Sequence, residues 1–328
     1  MDEIFRVLDD KIKARDPLYI RILYGIGAWF SAIFIIMFLG VSELIKHGIG
    51  AAIFGAVFLG IAIIISRRRK STFLSQLSLA LAFSGNILVL SGIPDIARDF
   101  SLSTFVIAQA VICGIVYPLF RNNIYRFLSP LAAAALATAW VVKEQIPYLM
   151  HVIIAAETIL FGILILRGKI HSSLVPLVYS AAAMLPATLL FLNLTRIDLR
   201  ISGFSEPDWP SSVLISAGMV YMFINLAGGL SRLRQPWLIL VIGCTILLGI
   251  FTTPGILVAI GLLVTGYMYG DRVLTGLSCL FLPGFLVLFY YALNIDLAYK
   301  SWILAGSGLL LLIVRWIANL LSRREEAV

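Results

Sequence analysis

Charged side chains are scarce: Asp, Glu, Lys and Arg make up 13% of the 328 residues, where a soluble globular domain carries roughly 25%. A chain so poor in charge, with 61% hydrophobic residues and a mean hydropathy of +1.01, must share its interior with a bilayer. Cysteine is nearly absent. The three that exist, Cys113, Cys244 and Cys279, fall inside predicted spans without CxxC or Cys/His spacing, which leaves no metal ribbon and reads them as small packing residues. The three histidines, His47, His151 and His171, lie near the ends of apolar runs, so neither a haem pair nor a zinc triad is readily built. There is no Walker phosphate loop, Gly-rich nucleotide fingerprint, HExxH or GxSxG. No cofactor or metal is expected. Strand-like alternation of apolar and polar residues is missing too, which excludes a spanning barrel.

What remains is apolar runs of about 16 to 22 residues, the length that about 30 Å of hydrocarbon demands of a helix. Spans are expected near 20–42, 48–66, 72–92, 104–120, 127–142, 148–166, 174–194, 212–230, 236–251, 255–270, 273–293 and 301–321. The expected fold is therefore all-α, a polytopic transmembrane helix bundle of about twelve spans over 18–322. Residues 1–17 read as an interfacial amphipathic helix, with Ile4, Phe5, Leu8 and Ile12 on one side, stopped by Pro17. Five acidic residues in the first sixteen argue against a cleaved signal peptide. A short tail, 323–328, closes the chain.

Orientation follows from the basic residues, since positive flanks are retained in the cytoplasm. Of the 25 Lys and Arg, the alternate connections that would face outward hold only Lys46, Arg98, Lys143, Arg196, Arg200 and Lys300. Both termini are predicted inside. The net charge of +8 is scattered through short loops rather than gathered on one face. That pattern suits anionic lipid, and no nucleic acid is expected. Thr252-Thr253-Pro254-Gly255 joins two runs of only about 16 residues, which form either two short spans or a re-entrant hairpin.

Tandem helical hairpins are suggested by a recurring span opening: Phe73-Leu74-Ser75-Gln76-Leu77, Phe127-Leu128-Ser129-Pro130-Leu131 and Ser173-Leu174-Val175-Pro176-Leu177. Arg121 and Pro130 recur, at one common separation, as Arg167 and Pro176.

Glu157 is the most informative side chain. It falls near the middle of its span beside Ala155 and Ala156, where a carboxylate must be protonated, paired or wetted. It is a candidate for proton relay, ion binding or substrate contact, against a neutral group that joins helices. Arg315, in the last span, is either its partner or snorkels to the interface. Asn86, Gln109 and Asn225, with Gln76, line a pathway or form interhelical hydrogen bonds. Pro186 and Pro283 interrupt two spans and are candidate hinges. Gly50, Gly55, Gly60, Gly266 and Gly270 permit close backbone packing. Tyr290, Tyr291, Asp296 and Lys300 cluster at one outer boundary, where aromatic anchoring is the plainer reading. The outer loop Thr195–Ser211 is long enough to dock a partner.

Pro254-Gly255, Gly270-Asp271-Arg272-Val273-Leu274, Tyr290-Tyr291, Asp296, Lys300-Ser301 and Arg315 form a series of polar landmarks at set spacing. Together with Tyr19, Arg21, Gly25 and Gly27-Ala28-Trp29, they resemble the bacterial multi-pass family catalogued as domain of unknown function 4401. The resemblance touches most of the chain. It implies a bacterial inner-membrane protein and, as partner beside the lipid bilayer, a GDYXXLXY-domain membrane protein. It carries no catalytic residues. Here Ala292 and Asn294 follow the tyrosine pair where the family leads one to expect a more aromatic and acidic run. Three functional classes stay open: a subunit or scaffold of a membrane complex first, then a secondary transporter or channel-like protein using Glu157, then an intramembrane enzyme.

Overall fold

The computed structural model describes residues 18–41, 48–67, 72–166, 172–197, 209–229 and 235–292, with isolated helical residues between 301 and 313. The expected interfacial helix at 1–17, the tail at 323–328, most of the last span, and Asp296, Lys300 and Arg315 lie outside the described residues.

Every regular element among the described residues is helical: α1 (Leu18–Val41), α2 (Gly48–Arg67), α3 (Thr72–Ala97), α4 (Leu102–Leu119), α5 (Asn123–Lys143), α6 (Pro147–Leu166), α7 (Val175–Ile197), α8 (Trp209–Leu226), α9 (Pro236–Phe251), α10 (Pro254–Met268) and α11 (Arg272–Ala292). Each matches an expected span to within a few residues. Eight of them, α2 to α8 and α11, are long and apolar enough to cross a membrane. Proline opens α6, α9 and α10, where its missing N–H has no helical partner to lose.

The chain divides into two compact units, Met1–Trp140 and Val141–Val328. In the first, α3 is central and packs against α1, α2 and α4. Its sequence explains why. Ser78, Ser84, Gly85, Asn86 and Gly92 are buried there, and hydrocarbon penalises such residues whereas a neighbouring helix accepts them. Around it Phe58, Leu59, Leu79, Ile112, Phe120 and Tyr125 form a buried apolar cluster, with the Phe120 and Tyr125 rings edge to face at 5.1 Å.

The seam between α2 and α3 is made of glycine. A Cβ on Gly55 would stand 2.6 Å from the Val89 amide nitrogen and 2.7 Å from the Gly85 carbonyl oxygen, and one on Gly92 would strike the Gly48 carbonyl. Only hydrogen atoms fit there. Gly60, expected to pack the same way, faces open space.

In the second unit α7 is the central helix, packed against α6, α10 and α11, while α8 touches α6, α9 and α10. α9 and α10 are about 24 and 22 Å long at 1.5 Å per residue, both short of a full crossing. They are separated by Thr252 and Thr253, both extended. α10 is nonetheless among the best-buried elements, with Gly255 against the Phe285 ring and Gly266 against Thr275 of α11.

Candidate functional site

Glu157 stands midway along α6 and is 5% exposed. Thr188 of α7 donates its hydroxyl to Glu157 Oε1 at 3.0 Å, whereas Oε2 is buried without a partner among the described residues. The contact joins α6 to α7, two helices that pack against each other. α7 presents Ala181, Ala182 and Ala183, then Pro186 and Thr188, all buried. The carboxyl group is sealed between helices.

The residue after it, Thr158, turns its hydroxyl back to the Ile154 carbonyl at 2.7 Å and opens the wall of a cavity of about 510 Å³ bounded by α6, α7, α8 and α10. Its walls include Gly162, Ala182, Leu185, Gly218 and Leu262. The surface is overwhelmingly apolar, and Glu157 is not part of it. Whatever Glu157 does, it does without bordering this space.

The other polar candidates separate. Gln109 is fully buried and donates to the Ser129 carbonyl at 3.3 Å, joining α4 to α5. Asn86 is buried in α3, and neither its Oδ1 nor Gln109 Oε1 has a partner among the described residues. Asn225 is tied to its own helix through the Tyr221 carbonyl at 2.8 Å. Gln109 and Asn86 lie in the first unit, and Glu157 and Asn225 in the second. Tyr290 and Tyr291 lie at the end of α11 with their rings edge to face at 5.9 Å. α7 and α11 each run without a break through Pro186 and Pro283, the first buried and the second exposed.

Three polar links in the second unit were not singled out from sequence. His151 Nδ1 and Ser211 Oγ are 2.8 Å apart, joining the starts of α6 and α8. Ser278 of α11 donates to the Ala259 carbonyl of α10 at 2.7 Å. The third is built on Gly270-Asp271. Gly270 adopts φ +63, and the Asp271 and Gly270 amides donate to the Gly266 and Tyr267 carbonyls, a Schellman closure of α10. Gly270 is thus a turn residue, not the second half of a packing pair with Gly266. Asp271 then caps α11, accepting the Val273 amide at 2.8 Å on Oδ1, and its Oδ2 accepts the Tyr179 hydroxyl of α7 at 2.9 Å. A glycine followed by aspartate between two apolar runs is a readable stop-and-start signal. The long-range tyrosine is not readable.

In the first unit, Arg126 is similarly absorbed. It donates from Nε to the Tyr117 carbonyl at 3.0 Å and from a terminal nitrogen to the Pro118 carbonyl at 3.4 Å, while its guanidinium lies 5.4 Å from the Tyr117 ring centre. The fork closes the end of α4, where carbonyls lack helical partners.

Long apolar helices, polar groups turned onto one another, and an apolar cavity between helices define a helical membrane protein. Among the described residues no cluster of His, Cys, Asp or Glu could hold a metal ion. Residues 17–321 match the family model described as Domain of unknown function (DUF4401), and the chain belongs to that family. No curated protein and no solved structure matches it.

Proposed function

We propose that the protein is a subunit or scaffold of a membrane complex, resident in a bacterial inner membrane with both termini cytoplasmic. The observation that carries this reading is the sealing of Glu157. The ionisable group at the middle of a span is bonded to Thr188, off the wall of the adjacent cavity, as a group that joins helices is. The partner is a GDYXXLXY-domain membrane protein, as the family resemblance suggests. Co-expression of the two, followed by affinity purification in a mild detergent, should give a stoichiometric complex that survives size exclusion. Elution of this chain alone would remove the reading's main support. Tags at either end should stay inaccessible to impermeant reagents in intact cells.

A second reading, transport, is favoured by one observation: Glu157 Oε2 has no partner among the described residues, and a buried acceptor without one is a place for a proton or cation to bind. Proteoliposomes should then show a pH- or cation-driven flux that Glu157→Gln abolishes. Equal flux in the two proteins dismisses it.

A further inference from the structure

The cavity bounded by α6, α7, α8 and α10 has a length, a mouth and a wall chemistry that together select an occupant. Its volume, about 510 Å³, lies within the range of small-ligand sites, roughly 300–1,000 Å³. Along α6 its wall runs from Thr158 to Leu166, about 12 Å of helix at 1.5 Å per residue. That is most of one leaflet's hydrocarbon, about half of the 30 Å core. The inner end lies beside Glu157 at the middle of the span and the outer end at the last residue of α6, so the space is laid out along a leaflet. Wall residues Ile159, Ile163 and Tyr221 are 58%, 51% and 62% exposed. The cavity therefore opens on the flank of its unit, where a membrane-embedded protein meets lipid.

The walls offer little to a polar ligand. Thr158, the hydroxyl at the inner end, is already bonded to its own helix. A sugar, nucleotide or amino acid would leave its polar groups unpaired there. An acyl chain has none to lose.

We propose that this cavity is a binding site for one acyl chain of a membrane phospholipid, drawn from the leaflet at the C-terminal end of α6. The site goes beyond the complex-subunit reading and requires only that the helices be membrane-embedded. Retention rests on fit, because transfer from one apolar medium to another supplies no hydrophobic gain.

The test uses the full chain purified in mild detergent. Native mass spectrometry with added phosphatidylglycerol should find one lipid held through delipidation. Gly162→Phe fills the space, since a Cβ at Gly162 meets nothing within 4 Å, and should lower retention at least about tenfold. Gly243→Phe, equally unobstructed but off the cavity wall, should leave retention unchanged. A phosphatidylglycerol with a diazirine at its chain terminus provides a readout in the unaltered protein. Cross-links should map to peptides holding Thr158, Leu185 or Leu262. Cross-links confined to other surfaces, or equal retention by the Gly162→Phe and unaltered chains, overturn the proposal. So does a concentration-dependent dimer that protects the cavity from label, which would make a second copy the occupant.

Discussion

The two units solve one problem differently. Between apolar helices in lipid the hydrophobic effect does not choose protein over solvent, so close contact or polar bonding must do so. In the first unit, α2 and α3 rely on contact: Gly55 against Gly85 and Val89, and Gly92 against Gly48, bring backbone onto backbone. In the second, single side-chain bonds join helices, Thr188 to Glu157, Tyr179 to Asp271 and Ser278 to the Ala259 carbonyl, and close glycine contact is confined to places such as Gly266 against Thr275. That unit also holds the cavity, bounded by α6, α7, α8 and α10. The glycine seam leaves no such space.

This contrast can be broken most sharply at the seam. Gly55→Leu drives a side chain into backbone atoms and should cost about 3 kcal/mol or abolish the folded protein, as read by thermal unfolding in detergent. Gly60→Leu, on the same helix but facing open space, should change stability by no more than about 0.5 kcal/mol. Equal damage from the two would show that contact is not what holds the first unit. In the second unit, Asp271→Ala removes a helix cap and a partner of Tyr179 and should cost about 1–2 kcal/mol, and Tyr179→Phe alone should reproduce only the part due to the lost hydroxyl bond. Thr188→Val deletes one interhelical bond and should cost about 0.6–1.7 kcal/mol. Additivity of these two losses in the double variant would confirm that the links act singly.

The smallest effect is at the exposed loop between α3 and α4. There the Asp99 carboxyl is held below the ordinary carboxylate range by the Ser101 hydroxyl, then by Thr104 and the Ser101 amide. A depressed folded value contributes stability above the unfolded pKa and loses it as pH falls through the folded one. The difference in unfolding temperature between the unaltered chain and Asp99→Ala should therefore be present at neutral pH and close on acidification. A difference that persists in acid would assign it to packing.

Much of the architecture was legible because span length is a property of the bilayer rather than of tertiary contacts. α1 to α11 fall where the apolar runs fall, the short α9 and α10 included. Burial of Glu157 followed from the cost of charge in hydrocarbon. Its partner did not, because Thr188 lies on another helix and a hydroxyl in an apolar run carries no signal of where it points. The cavity was equally hidden: only the placement of neighbours distinguishes a glycine that admits a helix, such as Gly55, from one that leaves a space, such as Gly162. Gly60 and Gly270 mislead in the same way. One faces open space and the other makes a turn.

Arg126 has a consequence in time. A basic residue at a helix end biases which way a chain threads as it is inserted, and in the finished fold the same guanidinium closes α4 through the Tyr117 and Pro118 carbonyls. The side chain that fastens the fold thus carries the kind of charge that would direct insertion. Arg126→Lys keeps the charge and loses the two-pronged bond, since an ammonium has no planar fork. Such a chain should insert the right way round and then fail to tighten, so the sequence of those two events can be observed separately.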